Sequence, residues 1–172
     1  MQKERLLIKR ITLFGILTAL CTVTRLISLP VPNVQPVTAV IMVVALLLNI
    51  GDAMILAVLT MIISNIFLGF GIWTLPQIVS YAICVLTIGA LKKWTPLVRS
   101  SKYQILVCGG LGFEYGFFVS LGLAILGSAP AFWPYWLSGL LFDTYHAIGN
   151  LVFYPLLYWL LSRLLAKYFQ NQ

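Results

Sequence analysis

The sequence predicts an all-α membrane protein, a bundle of six transmembrane helices with both termini cytoplasmic, and three observations lead to it. Of the 172 residues, 61% are hydrophobic and only 9% are charged, whereas an average soluble domain carries roughly 25% charged residues. A water-soluble fold of this length would lack the polar side chains to cover its exterior, so lipid has to cover it. The apolar residues also come in blocks near the length of about 20 that crosses roughly 30 Å of hydrocarbon. Finally, the basic residues gather in three places that six spans bring to one side. The same composition excludes a disordered chain, a disulfide scaffold and a basic nucleic-acid module as primary readings.

In order, the spans are expected near residues 10–29, 36–50, 53–71, 75–92, 103–126 and 136–165, which leaves residues 1–172 as a single integral membrane domain. The second is short and is expected to extend into its flanks; the sixth is long enough to tilt or to project from the bilayer. Turn chemistry marks the breaks: Pro30, Pro32, Asn33 and Pro36, then Asn49, Gly51 and Asp52, then Gly69, Gly71 and Pro76. Pro96 with Ser100 and Ser101, and Gly127, Ser128, Pro130 and Pro134, mark the rest. Lys3, Arg5, Lys9 and Arg10 precede the first span, Lys92, Lys93, Arg99 and Lys102 lie between the fourth and fifth, and Arg163 and Lys167 close the sixth. All of these are assigned to the cytoplasm, and only Arg25 falls toward the other side. The outer loops near 30–36, 70–76 and 127–136 hold no formal charge but carry Trp73, Phe132, Trp133, Tyr135 and Trp136. The net charge of +7 therefore follows from topology and anionic lipid, with no nucleic-acid meaning. No A-x-A site follows the first apolar run, and Leu20 spoils a lipoprotein box before Cys21, so this run is expected to remain as a span. Cys21, Cys84 and Cys108 lie inside spans without C-x-x-C spacing and are expected as small apolar core residues.

Polar side chains inside spans are costly, so each needs a partner or a function. On the sixth span Trp136, Gly139, Asp143, His146, Asn150, Tyr154 and Tyr158 recur in steps of three and four and share one stripe. That stripe either glues helices together or lines a ligand cavity open to the outside. On the fifth span Gly112, Gly116 and Ser120 form a small-residue seam, and Glu114, about 200° from Gly112, points away from it. Glu114 either ties the bundle together or lines the site. Arg25 either snorkels to the interface or pairs with Asp143 or with an anionic group of a ligand. Asn65, Gln77 and Tyr81 agree with these residues in depth, which predicts one outward-facing pocket closed by loops carrying Asn33, Gln35 and Trp73. The candidate substrate-binding set is thus Arg25, Asn33, Gln35, Asn65, Trp73, Gln77, Tyr81, Glu114, Trp136, Asp143, His146 and Asn150. On the first span Gly15, Ala19 and Val23 form a flat small-residue patch, either packed inside the bundle or docking a partner helix.

Several chemistries have no support. No phosphate loop of the G-x-x-x-x-G-K-[ST] type occurs, and one histidine cannot make an H-E-x-x-H protease. Asp143 and His146 offer at most two metal ligands. Ser64 or Ser138 with His146 would make an intramembrane hydrolase, but no G-x-S-x-G elbow is present. A stand-alone proton-coupled carrier would use Glu114, Asp143 and His146 as a relay. Binding is favoured over catalysis; no catalytic residue, resident metal or cofactor is expected.

Six spans in under 200 residues, the patch Gly15-x-x-x-Ala19, and the Pro-rich loop Leu29-Pro-Val-Pro-Asn-Val-Gln-Pro36 together resemble the S component of energy-coupling-factor vitamin transporters. The family's first-helix motif is A-x-x-x-A, where this chain has Gly15, Ala19 and then Val23. The resemblance implies a subunit of the bacterial plasma membrane that captures a vitamin from outside. It also implies docking through Gly15, Ala19 and Val23 on a transmembrane coupling subunit, with two cytoplasmic ATPases supplying the energy. Within the family, the V-P-N-V-Q-P loop and the Asp143–His146 helix look most like the cobalamin-specific S components of lactobacilli. Pantothenate, pyridoxine-type vitamins and pyrimidine precursors are the rival substrates.

Overall fold

The computed structural model describes residues 2–27, 31–129 and 131–170, without the side chains of residues 2, 3, 6 and 167–170. Leu29, Pro30 and Pro130 lie outside the described residues, as do the side chains of Lys3 and Lys167. The described residues form helices α1 (Gln2–Leu26), α2 (Val37–Leu47), α3 (Ile50–Leu68), α4 (Thr74–Trp94), α5 (Ser101–Ile125) and α6 (Phe132–Gln170). A 3-10 turn at Leu97–Arg99 joins α4 to α5, and no strand occurs among the described residues. All but α2 are long and apolar enough to cross a membrane.

The expected second span at 36–50 is corrected: α2 has 11 residues, about 16 Å of helix, roughly half the hydrocarbon thickness. The shortfall has a local cause. Leu48 leaves the helical region at φ −107°, ψ −102°, and Asn49 starts a new helix by accepting the amide of Asp52 at 2.9 Å. Asn49 Nδ2 donates back to the Asp52 carboxylate at 2.8 Å, and Arg10 of α1 pairs with the same carboxylate. A cap that good overrides the continuous apolar pattern that suggested one longer span.

α2 is buried on every side, with no residue from Val37 to Leu46 more than 8% exposed. It touches α1, α3, α4, α5 and α6, as a helix apolar all round must. Its C-terminal carbonyls are capped from α4, where Lys92 Nζ donates to Ala45 O at 3.0 Å and Leu46 O at 3.3 Å, which also complements the helix dipole. At its other end the Thr38 hydroxyl meets Tyr81 of α4 and His146 of α6. α2 therefore runs parallel to α4, from the depth of Tyr81 to that of Lys92.

α5 and α6 pack antiparallel and close. A Cβ on Gly112 would lie 2.7 Å from the Ala147 amide, and one on Gly109 would lie 2.8 Å from Leu151. Gly116 faces the Asp143 carboxylate in the same way. Gly112 and Gly116 thus act as the seam their spacing predicts. The α1 patch behaves differently: Gly15, Ala19 and Val23 are exposed, and a Cβ on Gly15 would meet nothing within 4 Å. Cys21, Cys84 and Cys108 are buried and unpaired.

Gly112→Val is expected to destabilise the protein by about 3 kcal/mol, because the backbone of α6 cannot move aside as a side chain does. Gly110→Val, where a Cβ would meet nothing within 4 Å, should leave the thermal unfolding of the detergent-solubilised protein unchanged. Equal melting temperatures for the two variants would contradict the seam.

Candidate functional site

Because α2 stops short, its first turn lies inside the bundle rather than at the surface, and the segment leading into it has to descend to reach it. That segment is laid on α6: Asn33 Nδ2 donates to Phe142 O at 3.1 Å, and a Cβ on Gly149 would lie 3.2 Å from Val34 Cα. Asn33 takes φ 62°, a left-handed conformation that asparagine tolerates better than most residues. Between this segment and the end of α1 is a recess of about 300 Å³, lined by Arg25, Ile27, Val31, Pro32, Asn33, Val34 and Gln35.

Beside the first turn of α2 is a buried polar cluster. His146 Nε2 lies 2.8 Å from the Thr38 hydroxyl, which lies 3.2 Å from the Tyr81 hydroxyl. The Tyr81 and Tyr115 rings pack at 4.4 Å, and Tyr115 and His146 meet edge-on at 5.3 Å. Arg25 is close enough to act electrostatically on Tyr81, Tyr115 and His146 and approaches the Tyr115 hydroxyl. Asp143 also acts on Tyr115. Arg25 and Asp143 make no ion pair with each other, whereas Arg10 pairs with Asp52.

Several atoms of this cluster are left without partners. Arg25 Nε, His146 Nδ1 and Trp136 Nε1 are buried and make no hydrogen bond. His146 is 2% exposed and Asp143 5%. Trp136 lies near the Asp143 carboxylate without a hydrogen bond of normal geometry, its ring held by Phe117 at 5.4 Å and Phe132 at 6.4 Å. Buried polar groups are nearly always satisfied; Thr18, Thr22, Thr60 and Asn150 also carry unpartnered atoms, and of the cluster's residues Arg25 lines the recess.

The remaining candidates divide. Deeper on the α6 stripe, Asn150 Nδ2 donates to Cys108 O at 3.0 Å and Tyr154 donates to Gln104 at 3.0 Å, joining α6 to α5. Asn65 donates to Gln77 at 3.0 Å and to Thr74 at 3.2 Å, clasping α3 to α4. Gln35 lines the recess, whereas Trp73 is exposed at the start of α4. Glu114 accepts from Thr87 of α4 at 2.5 Å, on the face away from the α6 seam, so it stands apart from Asp143 and His146. Ser64 and Ser138 direct their hydroxyls to Met61 O and Tyr135 O of their own helices, and neither meets His146. No group of three His, Cys, Asp or Glu side chains gathers among the described residues. Two members of the cluster were not singled out from the sequence. Thr38 is the one polar residue of α2, a usable signal. Tyr115 stands beside Glu114 and looks like an ordinary aromatic core residue.

Thr38→Val is expected to orphan the His146 and Tyr81 contacts and to cost about 1–3 kcal/mol, read as a lower melting temperature. Thr38→Ser should retain most of the stability; equal melting for all three proteins would mean that the contact contributes nothing.

A family model described as the substrate-specific component of ECF transporters matches residues 9–158. No curated protein and no solved structure gives a match.

Proposed function

The chain belongs to the family of ECF transporter substrate-specific components, and from that premise we propose that it captures a vitamin-class molecule from outside and delivers it inward through ATP-driven partners. Membership makes it a multi-pass membrane protein and a substrate-binding transporter subunit rather than an enzyme. The observation that carries the proposal is the buried, unpartnered Nε of Arg25 at the recess lined by residues 31–35, together with unpartnered nitrogens of His146 and Trp136 in the cluster that Arg25 reaches. Ligand atoms would complete those hydrogen bonds.

Both termini are assigned to the cytoplasm of a bacterial cell, with α2 completing the sixth crossing as a half-length helix shielded from lipid. The positive-inside rule supports this, since Arg5, Lys9, Arg10, Lys92, Lys93, Arg99, Lys102 and Arg163 fall at one end of the bundle. The partners are a transmembrane coupling subunit and two cytoplasmic ATPases, and the exposed Gly15, Ala19 and Val23 would seat the coupling subunit's helix. The Pro-rich loop suggests cobalamin, but a recess of about 300 Å³ is at the lower end for drug-sized ligands. A recess of that volume suits a smaller substrate, of the size of pantothenate, pyridoxine or a pyrimidine precursor. A stand-alone proton carrier has less support, because Glu114 is bound to Thr87 on the far face from the other two relay candidates.

Co-expression with the coupling subunit and ATPases should give a complex whose vesicles show ATP-dependent uptake. Gly15→Leu should abolish uptake while leaving ligand binding intact. Asp143→Ala and His146→Ala should each weaken binding roughly 10-fold or more. Uptake by the chain alone, driven by a pH gradient and lost in Glu114→Gln, would establish the carrier instead.

A further inference from the structure

Arg25 is the one basic side chain at the uncharged end of the bundle. It lines the recess, its Nε is buried without a partner, and no carboxylate among the described residues pairs with it. A guanidinium inside a span without a carboxylate partner is costly, and its planar fork fits a carboxylate or phosphate better than any other group. The surroundings reinforce the charge: the first turn of α2 has no side-chain cap, and a helix N-terminus carries partial positive charge. Asp143, 5% exposed and close to Trp136, also acts electrostatically on Tyr115. Arg25 and Asp143 therefore both act on one tyrosine without forming an ion pair with each other.

Resting on the outward-pocket reading above, we infer that the transported molecule is a small monocarboxylate that also carries a hydrogen-bond donor. Its carboxylate sits on Arg25 and the Tyr115 hydroxyl, and a hydroxyl or amide N–H reaches Asp143. One cation with no lysine near it balances a single negative charge. A phosphate dianion would be left half compensated in a site of low dielectric, and the nearby Asp143 would repel it further. The chemistry selects carboxylates over phosphate esters and over neutral vitamins.

The test is isothermal titration of the full chain in detergent micelles with matched acid and neutral compounds. The pairs are pantothenate and panthenol, nicotinate and nicotinamide, biotin and biotinamide, and 4-pyridoxate and pyridoxine, with cobalamin added. One acid should bind, with its neutral counterpart weaker by roughly 10- to 100-fold. Arg25→Gln should bring the acid down to the level of the neutral compound, whose own binding stays the same. Arg25→Lys, which keeps the charge but not the fork, should retain a preference for the acid and control for folding. A neutral compound or cobalamin binding as tightly as any acid, no acid binding, or unchanged selectivity in Arg25→Gln would overturn the inference. ATP-dependent uptake of such a neutral compound by the assembled complex would leave the transporter reading standing. Failure to assemble with the coupling subunit and ATPases would remove that reading and this inference with it.

Discussion

The structure depends on a helix that is too short. Eleven residues, buried on all sides and in contact with every other helix, fill only one half of the bundle's interior. Lys92 holds the C-terminal end of α2 through two carbonyls, and the cap at Asn49 prevents the helix from running on into α3. With that end fixed, the other end stops inside the bundle, where Thr38 reaches Tyr81 and His146. The chain before it must dip inward, and the recess follows from that descent. A full-length second span would have filled the same space with side chains.

The polar stripe of α6 performs two tasks divided by depth. Below His146, Asn150 and Tyr154 bind the backbone of α5 and Gln104, and the α5 glycines let the two helices close to backbone contact. Above that level the same face carries Asp143 and, close to it, Trp136, whose Nε1 makes no hydrogen bond; Asn150 Oδ1 in the lower half is also without a partner. The rigid lower half fixes the position of the upper half, which suits a site that must hold a ligand in one orientation. Glu114 belongs to neither half: its bond to Thr87 ties α5 to α4.

Much of this was legible in the sequence, for physical reasons that differ by element. The five long spans were readable because length and hydropathy report directly on the bilayer. The α6 stripe and the Gly112–Gly116 seam were readable because helical periodicity needs no tertiary information. The second span was legible as short, with its break at Asn49, Gly51 and Asp52, but not the departure of Leu48 from the helix or the capping by Asn49 that holds α2 to 11 residues. Asn65 and Gln77 share a depth with Arg25, but depth does not give rotation around a helix axis, and they bond to each other. Tyr115 escaped notice because an aromatic residue in an apolar helix carries no signal until its neighbours are known. The family match over residues 9–158 agrees with the resemblance seen in the Pro-rich loop and the α1 patch, and it leaves the substrate to be settled by the site's chemistry.

The most direct test of the central claim is an experimental structure of the protein in a lipid nanodisc with its co-purified small molecule retained. Density for that molecule is expected above Thr38, between Arg25, Tyr115 and His146, with residues 31–35 covering it. Density elsewhere, such as the apolar groove of Leu75, Val79, Phe118 and Ile125 between α4 and α5, with Arg25 turned out to the lipid headgroups, would contradict it.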